Sequence, residues 1–298
     1  MRPAAAAAAA ADGHPAGVFG LVAAAVALAA TAAYVLAALR LRGRGDAWPP
    51  WRDASFAVGC LAVTHAMMMP LPGGPFTAHM VHHVVTAMAA PVLVVLGRPL
   101  TLLLRTVPPG RVRRGFLAVA HSRPAAWLLF PPAAALLDMG GLWLLHRSPL
   151  LAAAHHQPVL GAAVQVHLPA AGLLFAFSVC RLDPVRHRWG LALRGTTLLV
   201  AGAAHAVLAK TLYAVPPPGT AFAASDLRDG ARLMYYGGDL VELALAGVLA
   251  VEWYTRRGRA PRPRARRATA SGRLEPAAGG AAGGHRFTEG GGTRRRDR

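Results

Sequence analysis

Seven times along this chain of 298 residues the sequence runs for about 20 residues with few or no charges, which is the length a helix needs to cross a bilayer. Inside hydrocarbon the backbone must satisfy its own hydrogen bonds, so runs of this kind fold as helices. The expected spans are 17–39, 53–71, 77 to 97–99, 124–145, 158–180, 195–215 and 233–254. With 54% hydrophobic residues, the sequence reads as an all-α integral membrane protein of seven transmembrane helices. The first run contains small residues that imitate a signal-peptidase site. It is too long for a signal core and follows only one basic residue, Arg2, so it is expected to stay in place as a span.

A formal charge of +19 suggests nucleic acid until it is located. From Arg256 onward there are 13 Arg against Glu275, Glu289 and Asp297, and most of the remaining Arg lie between spans. The charge therefore points to membrane lipids and to topology, and no nucleic-acid partner is expected. The loops after spans one, three and five, with the C-terminal tail, hold nearly all the Arg, whereas the other loops hold Arg147, Arg228 and Arg232. Because Arg resists translocation, the N-terminus is expected outside and the C-terminus inside. Residues 1–16 read as a disordered leader, 17–254 as the membrane domain and 255–298 as a basic, Gly-rich, disordered cytoplasmic tail. Cys60 and Cys180 fall in different spans, with no C-x-x-C pattern, and read as packing residues.

Histidines are unevenly placed. The third span opens FTAHMVHHVV, so His79 and His83 lie one turn apart on one helix face and His82 lies beside them. Ionisable groups in a span face the bundle interior and mark function by default. The competing reading is that these are interfacial histidines in headgroups and water. In the expected topology His79 and His83 fall about 3 to 9 Å below the outer boundary and His65 about 9 Å below it, while His167 and His205 come level at about 15 to 18 Å. Met67, Met68 and Met69 close the second span nearby, though packing alone also explains them.

Imidazole with thioether and few carboxylates suits copper, in either oxidation state. Zinc would accept the histidines too. A second reading is a b-type haem between His167 and His205, and a third is a proton or ion path through Asp138, His205, Asp239 and Glu242. Lys210, the sole lysine, suggests a retinal Schiff base only weakly, because the seventh span has no lysine. Asp239 and Glu242, three residues apart, are expected to support a ligating histidine by accepting its second ring N–H, or to pair with Lys210. Copper permeation would need polar groups through the inner half, where only Glu252 and Cys180 are found.

The third-span sequence resembles the signature of the CtaG family of cytochrome c oxidase assembly factors, F-x-x-H-M-x-x-H, then A-P, then L-x-L-G-x-P-x-T-L-x-L-R. His79, Met80, His83, Ala90, Pro91, Leu96, Gly97, Pro99, Thr101 and Arg105 match it. His167 to Phe175 is similar to the family's H-L followed by G-x-x-F, Asp183–Pro184 to its loop D-P, and Ser225 to Glu242 to its D-Q-x-x-G-G helix. Leu227 stands where the family tends to Gln, and Pro169 follows His167 unusually soon. The resemblance implies a polytopic plasma-membrane protein, not an enzyme, that works with oxidase subunits and helps copper reach the oxidase. Some members carry a fused copper-resistance-type membrane domain; none is expected here. The expected metal ligands are His79, His83, His167 and His205, with His65, His82, Asp239 and Glu242 in support.

Overall fold

Proline begins five of the eleven helices found among the described residues. In the structure, a computed structural model that describes residues 17–184 and 189–258, Pro50, Pro75, Pro99, Pro131 and Pro158 each open a helix. At a first helical position the missing N–H costs nothing and the fixed φ is already helical. Among the described residues every regular element is helical: α1 (Val18–Gly43), α2 (Pro50–Met68), α3 (Pro75–Leu96), α4 (Pro99–Thr106), α5 (Arg111–Ala120), α6 (Arg123–Leu128), α7 (Pro131–Arg147), α8 (Leu150–His156), α9 (Pro158–Cys180), α10 (Leu191–Ala214) and α11 (Ala224–Gly258). The leader expected at 1–16, and the tail beyond residue 258, lie outside the described residues.

Five of these, α1, α3, α9, α10 and α11, are long and apolar enough to cross a membrane. The other two expected spans are shorter. Helix α2 has 19 residues and α7 has 17, or about 28 and 26 Å of rise.

Several boundaries differ from the sequence expectation, each for a local reason. Pro131 and Pro132, inside the fourth span expected over 124–145, instead start α7, and the residues before them form the separate short helix α6. As a result His146, expected in a connection, sits in the last turn of α7. The Arg-rich stretch after the third span is not loop but α4 and α5. Asp226 and Asp229, expected in a loop, belong to α11, which runs 35 residues with no proline between Pro218 and Pro261 to stop it.

Helix α3 runs as one element but changes winding. Pro91 has no N–H to give the Ala87 carbonyl, and the helix widens into a π turn over Val84–Ala89, with the Ala90 N–H bonding back to the Val85 carbonyl. The turn begins directly after His83. Gly172 of α9 lies so close to the Ala87 carbonyl that no side chain fits between them.

Three apolar clusters hold the bundle. One, around Phe76, Met80, Leu208, Leu212 and Met234, packs the start of α3 against α10 and α11. A second, around Val95, Phe175, Val179 and Leu245, fills the other end. The third joins α1 and α2 to α3 and α4: Tyr34 stacks on Phe56 at 4.1 Å, and its hydroxyl donates to the Gly97 carbonyl at 2.6 Å. Arg42 and Asp53 pair beside it.

Candidate functional site

Two carboxylates, the half-buried Asp226 and the buried Asp183, fix where α3 begins and where α4 begins. Asp226, on α11, accepts from the Phe76 N–H at 2.8 Å, the Thr77 N–H at 2.9 Å and the Thr77 hydroxyl at 2.6 Å. It therefore caps α3 from 150 residues away, satisfying N–H groups that a helix start leaves free. Asp183 does the same for α4, accepting from the Thr101 N–H at 2.8 Å and its hydroxyl at 2.6 Å. Burial raises the Asp183 carboxyl above its ordinary range, against the pull of the Thr101 donors and Arg98.

From the Asp226 cap, the first two turns of α3 carry the histidines to two different partners. His79 reaches α7: its Nε2 stands 3.2 Å from Nε2 of His146, with ring centroids 5.3 Å apart. The His146 ring is fully buried and its Nδ1 lies 3.0 Å from the Leu142 carbonyl. One turn on, His83 faces His205 of α10, with centroids 6.0 Å apart and the rings tilted by 28°. His83 is 3% exposed and His205 1%, and none of their four ring nitrogens has a hydrogen-bond partner. A buried polar atom left unpaired costs about 1 to 3 kcal/mol, so this pair is maintained at a real expense in stability.

Glycine makes the room. A Cβ at Gly238 would collide with the His205 ring, and one at Gly202 would collide with the Glu242 carboxylate. Glu242 Oε1 stands 3.7 Å from His205 Nδ1. With Asp138, which is buried, Glu242 also lines a cavity of about 20 Å³ between α3, α7, α9, α10 and α11. That volume holds about one water molecule.

A larger pocket of about 690 Å³ opens at the end of the bundle where α3 starts. His79, His82 and His83 line it together with Met67, Met68 and Met69. His155 of α8 joins them, its Nδ1 2.7 Å from the Leu151 carbonyl. The methionines thus share one hollow with the histidines, as their sequence proximity suggested.

Not every expected residue gathers here. His167 lies exposed on α9, its Nε2 3.2 Å from the Leu137 carbonyl of α7, so the ring that His205 meets is His83 and not His167. His65 is exposed and does not line the pocket. Lys210 is exposed, with Nζ 5.4 Å from the Tyr235 ring rather than on Asp239 or Glu242. Asp239 is half-buried and Glu242 alone reaches a histidine. Two residues escaped the sequence reading. His146 was hidden by Arg147 and Ser148, which look like a loop, and Arg194 by its Arg-rich surroundings. Arg194 is fully buried, donating to Glu252 at 2.7 Å and to the Val179 carbonyl at 2.8 Å.

Among the described residues no three His, Cys, Asp or Glu side chains converge closely enough to hold a metal ion together. The histidines are arranged in pairs.

The chain is similar to proteins of mycobacteria. An uncharacterized protein of Mycobacterium bovis is 30% identical over 153 residues, which cover 48% of this chain and 23% of that protein, and one of Mycobacterium tuberculosis matches to the same extent. An uncharacterized protein of Mycobacterium leprae is 27% identical over 161 residues, 51% of this chain and 24% of its own length. The chain thus spans about a quarter of the length of these curated relatives. No solved structure matches it. A family model described as cytochrome c oxidase caa3 assembly factor (Caa3_CtaG) matches residues 32–256, most of the chain and every histidine of the cluster. The chain belongs to the Caa3_CtaG family of cytochrome c oxidase caa3 assembly factors.

Proposed function

We propose that this protein assists oxidase assembly by binding copper on the outer side of the plasma membrane and presenting it to an oxidase subunit, with ligands drawn from the histidine pairs that include His79, His83 and His205. The single observation that carries the reading is the position of the histidines: His79 and His83 line one pocket with three consecutive methionines, and each of the two rings meets a second imidazole, from α7 or α10. Imidazole and thioether donors suit copper, and the cluster lacks the carboxylate shell that hard cations need. Glu242 fits a supporting place, near the ring of His205 but not among the donors that face His83.

In this reading all seven expected segments cross the membrane. Helices α2 and α7, at about 28 and 26 Å, nearly match a hydrocarbon core of about 30 Å. Arginine asymmetry then sets the start of α3, the pocket and the paired histidines on the outer side. The protein acts as a binding and assembly factor rather than an enzyme, and copper is its cargo.

Metal analysis of the full chain purified in detergent tests this. Copper retained by the wild type and lost from His79→Ala/His83→Ala, with zinc at background in both, is the expected result. Equal copper in the two proteins contradicts it, and a haem absorption band in the visible spectrum would replace copper with a b-type haem.

A further inference from the structure

We infer that four histidines, the half-buried His79 and the buried His83, His146 and His205, form two successive copper seats rather than one: His79 with His146 receives the ion from the pocket, and His83 with His205 holds it as a monovalent ion between two imidazoles. This rests on the copper reading above and adds to it a ligand, His146, an oxidation state and an order.

The outer seat is argued from tautomers. A neutral imidazole carries one N–H and one lone pair. The Leu142 carbonyl 3.0 Å from Nδ1 of His146 can only accept, so it fixes the proton on Nδ1 and leaves the lone pair on Nε2. That lone pair faces Nε2 of His79 at 3.2 Å, and His79 must donate to it in the metal-free protein. An arriving cation takes the place of this hydrogen-bonding proton. The proton moves to Nδ1 of His79 by way of solvent in the pocket that His79 lines, and both rings stay neutral. Backbone carbonyls holding the far nitrogen of a ligand histidine are the usual support of metal sites.

The inner seat is argued from what is missing around it. His83 and His205 keep four ring nitrogens without partners in the core, and the two rings are 6.0 Å apart between centroids. Two metal–nitrogen bonds of about 2.0 Å each, plus the ring radii, span about 6 Å. Two donors are too few for zinc, which takes four ligands in closed sites; a d¹⁰ monovalent copper ion accepts two. Charge agrees. Among the described residues the carboxylate that reaches either ring is Glu242, 3.7 Å from His205 Nδ1, and an ionised carboxylate neutralises one positive charge. A divalent ion there would leave net charge in hydrocarbon, which is costly. The two seats share α3, with His79 and His83 separated by about 6 Å of helical rise. An ion can pass between them by exchanging one imidazole at a time. The π turn that follows His83 widens the helix at the inner seat.

The test is an anaerobic titration of the full chain in detergent with Cu(I), against a coloured Cu(I) chelator. The wild type is expected to take up two ions per chain, one surrendered quickly to excess chelator and one slowly. His146→Ala should lose the quick ion and keep the slow one, whose X-ray absorption should show two nitrogen neighbours and no sulfur. His205→Ala should lose the slow ion and keep the quick one. His146→Gln and His205→Gln, closer in size, serve if an alanine variant fails to elute as a single helical species. One ion lost alike from the His146 and the His205 variants would mean one shared site and overturn the two-seat inference while leaving the copper reading intact. Two ions retained in both variants would overturn it as well. A wild type that binds no Cu(I) would overturn the copper reading itself.

Discussion

Replacing Asp226 by Ala removes the acceptor of three hydrogen bonds at the start of α3, from two backbone N–H groups and the Thr77 hydroxyl. Bonds to an ionised acceptor contribute about 1.5 to 3 kcal/mol each, but the freed N–H groups lie at a helix start, where losing an N-cap side chain costs about 0.5 to 2 kcal/mol. For the three bonds together we expect a loss of about 2 to 4 kcal/mol. Asp226→Asn keeps one oxygen and loses the charge that favours a helix N-terminus, so it should cost about half as much. Thr77→Val removes one bond and should cost about 1 kcal/mol. Because the hydroxyl and the carboxylate are partners, Asp226→Ala/Thr77→Val should cost little more than Asp226→Ala alone. The assay is unfolding of the purified protein by SDS titration, read by loss of helical signal. Copper affinity should fall with stability, since the capped turn carries His79 to His146. An Asp226→Ala protein with the wild-type midpoint, or a double variant whose cost is the sum of the singles, refutes the capping account.

Three further outcomes follow from single contacts. Gly238→Ala should push the His205 ring off His83, because the new Cβ collides with it; a protein that inserts at normal levels but binds less copper is expected, and unchanged copper would place His205 outside the site. Glu252→Gln should destabilise by about 3 kcal/mol, as an uncompensated guanidinium stays buried at Arg194; an unchanged SDS midpoint would show that the Val179 carbonyl suffices. Fusions of a periplasm-active reporter after residue 123 and after residue 258 should both be inactive, and activity at either would reverse or break the seven-span topology.

Helices were legible in the sequence because a bilayer allows little else, and their number was read from apolar length. Length also misled at α7, where Pro131 and Pro132 lie inside one apolar run and nothing in hydropathy distinguishes a helix start from a kink. The consequence reached the site: with α6 and α7 read as one span ending at 145, His146 became a loop residue. The face shared by His79 and His83 followed from helical period alone. Their partners did not, because period fixes which side chains share a face and says nothing about which neighbour faces them. His167 and His205 are expected level in depth, yet His167 turns outward to the Leu137 carbonyl. Asp226 was noticed only as part of a family-like stretch. Its role as the cap of α3 depends on a contact across 150 residues, which no local pattern carries.

The pair of His79 and His83 is where the whole account is most exposed. The decisive measurement is oxidase activity and oxidase copper content in cells that lack this protein and carry either the wild type or His79→Ala/His83→Ala, grown with limiting and with excess copper. The account predicts that the double variant inserts in the membrane at wild-type levels, fails to restore the oxidase under limiting copper, and is partly rescued by excess. Full restoration by the double variant under limiting copper would contradict it, and would make these histidines interfacial groups with no part in copper handling.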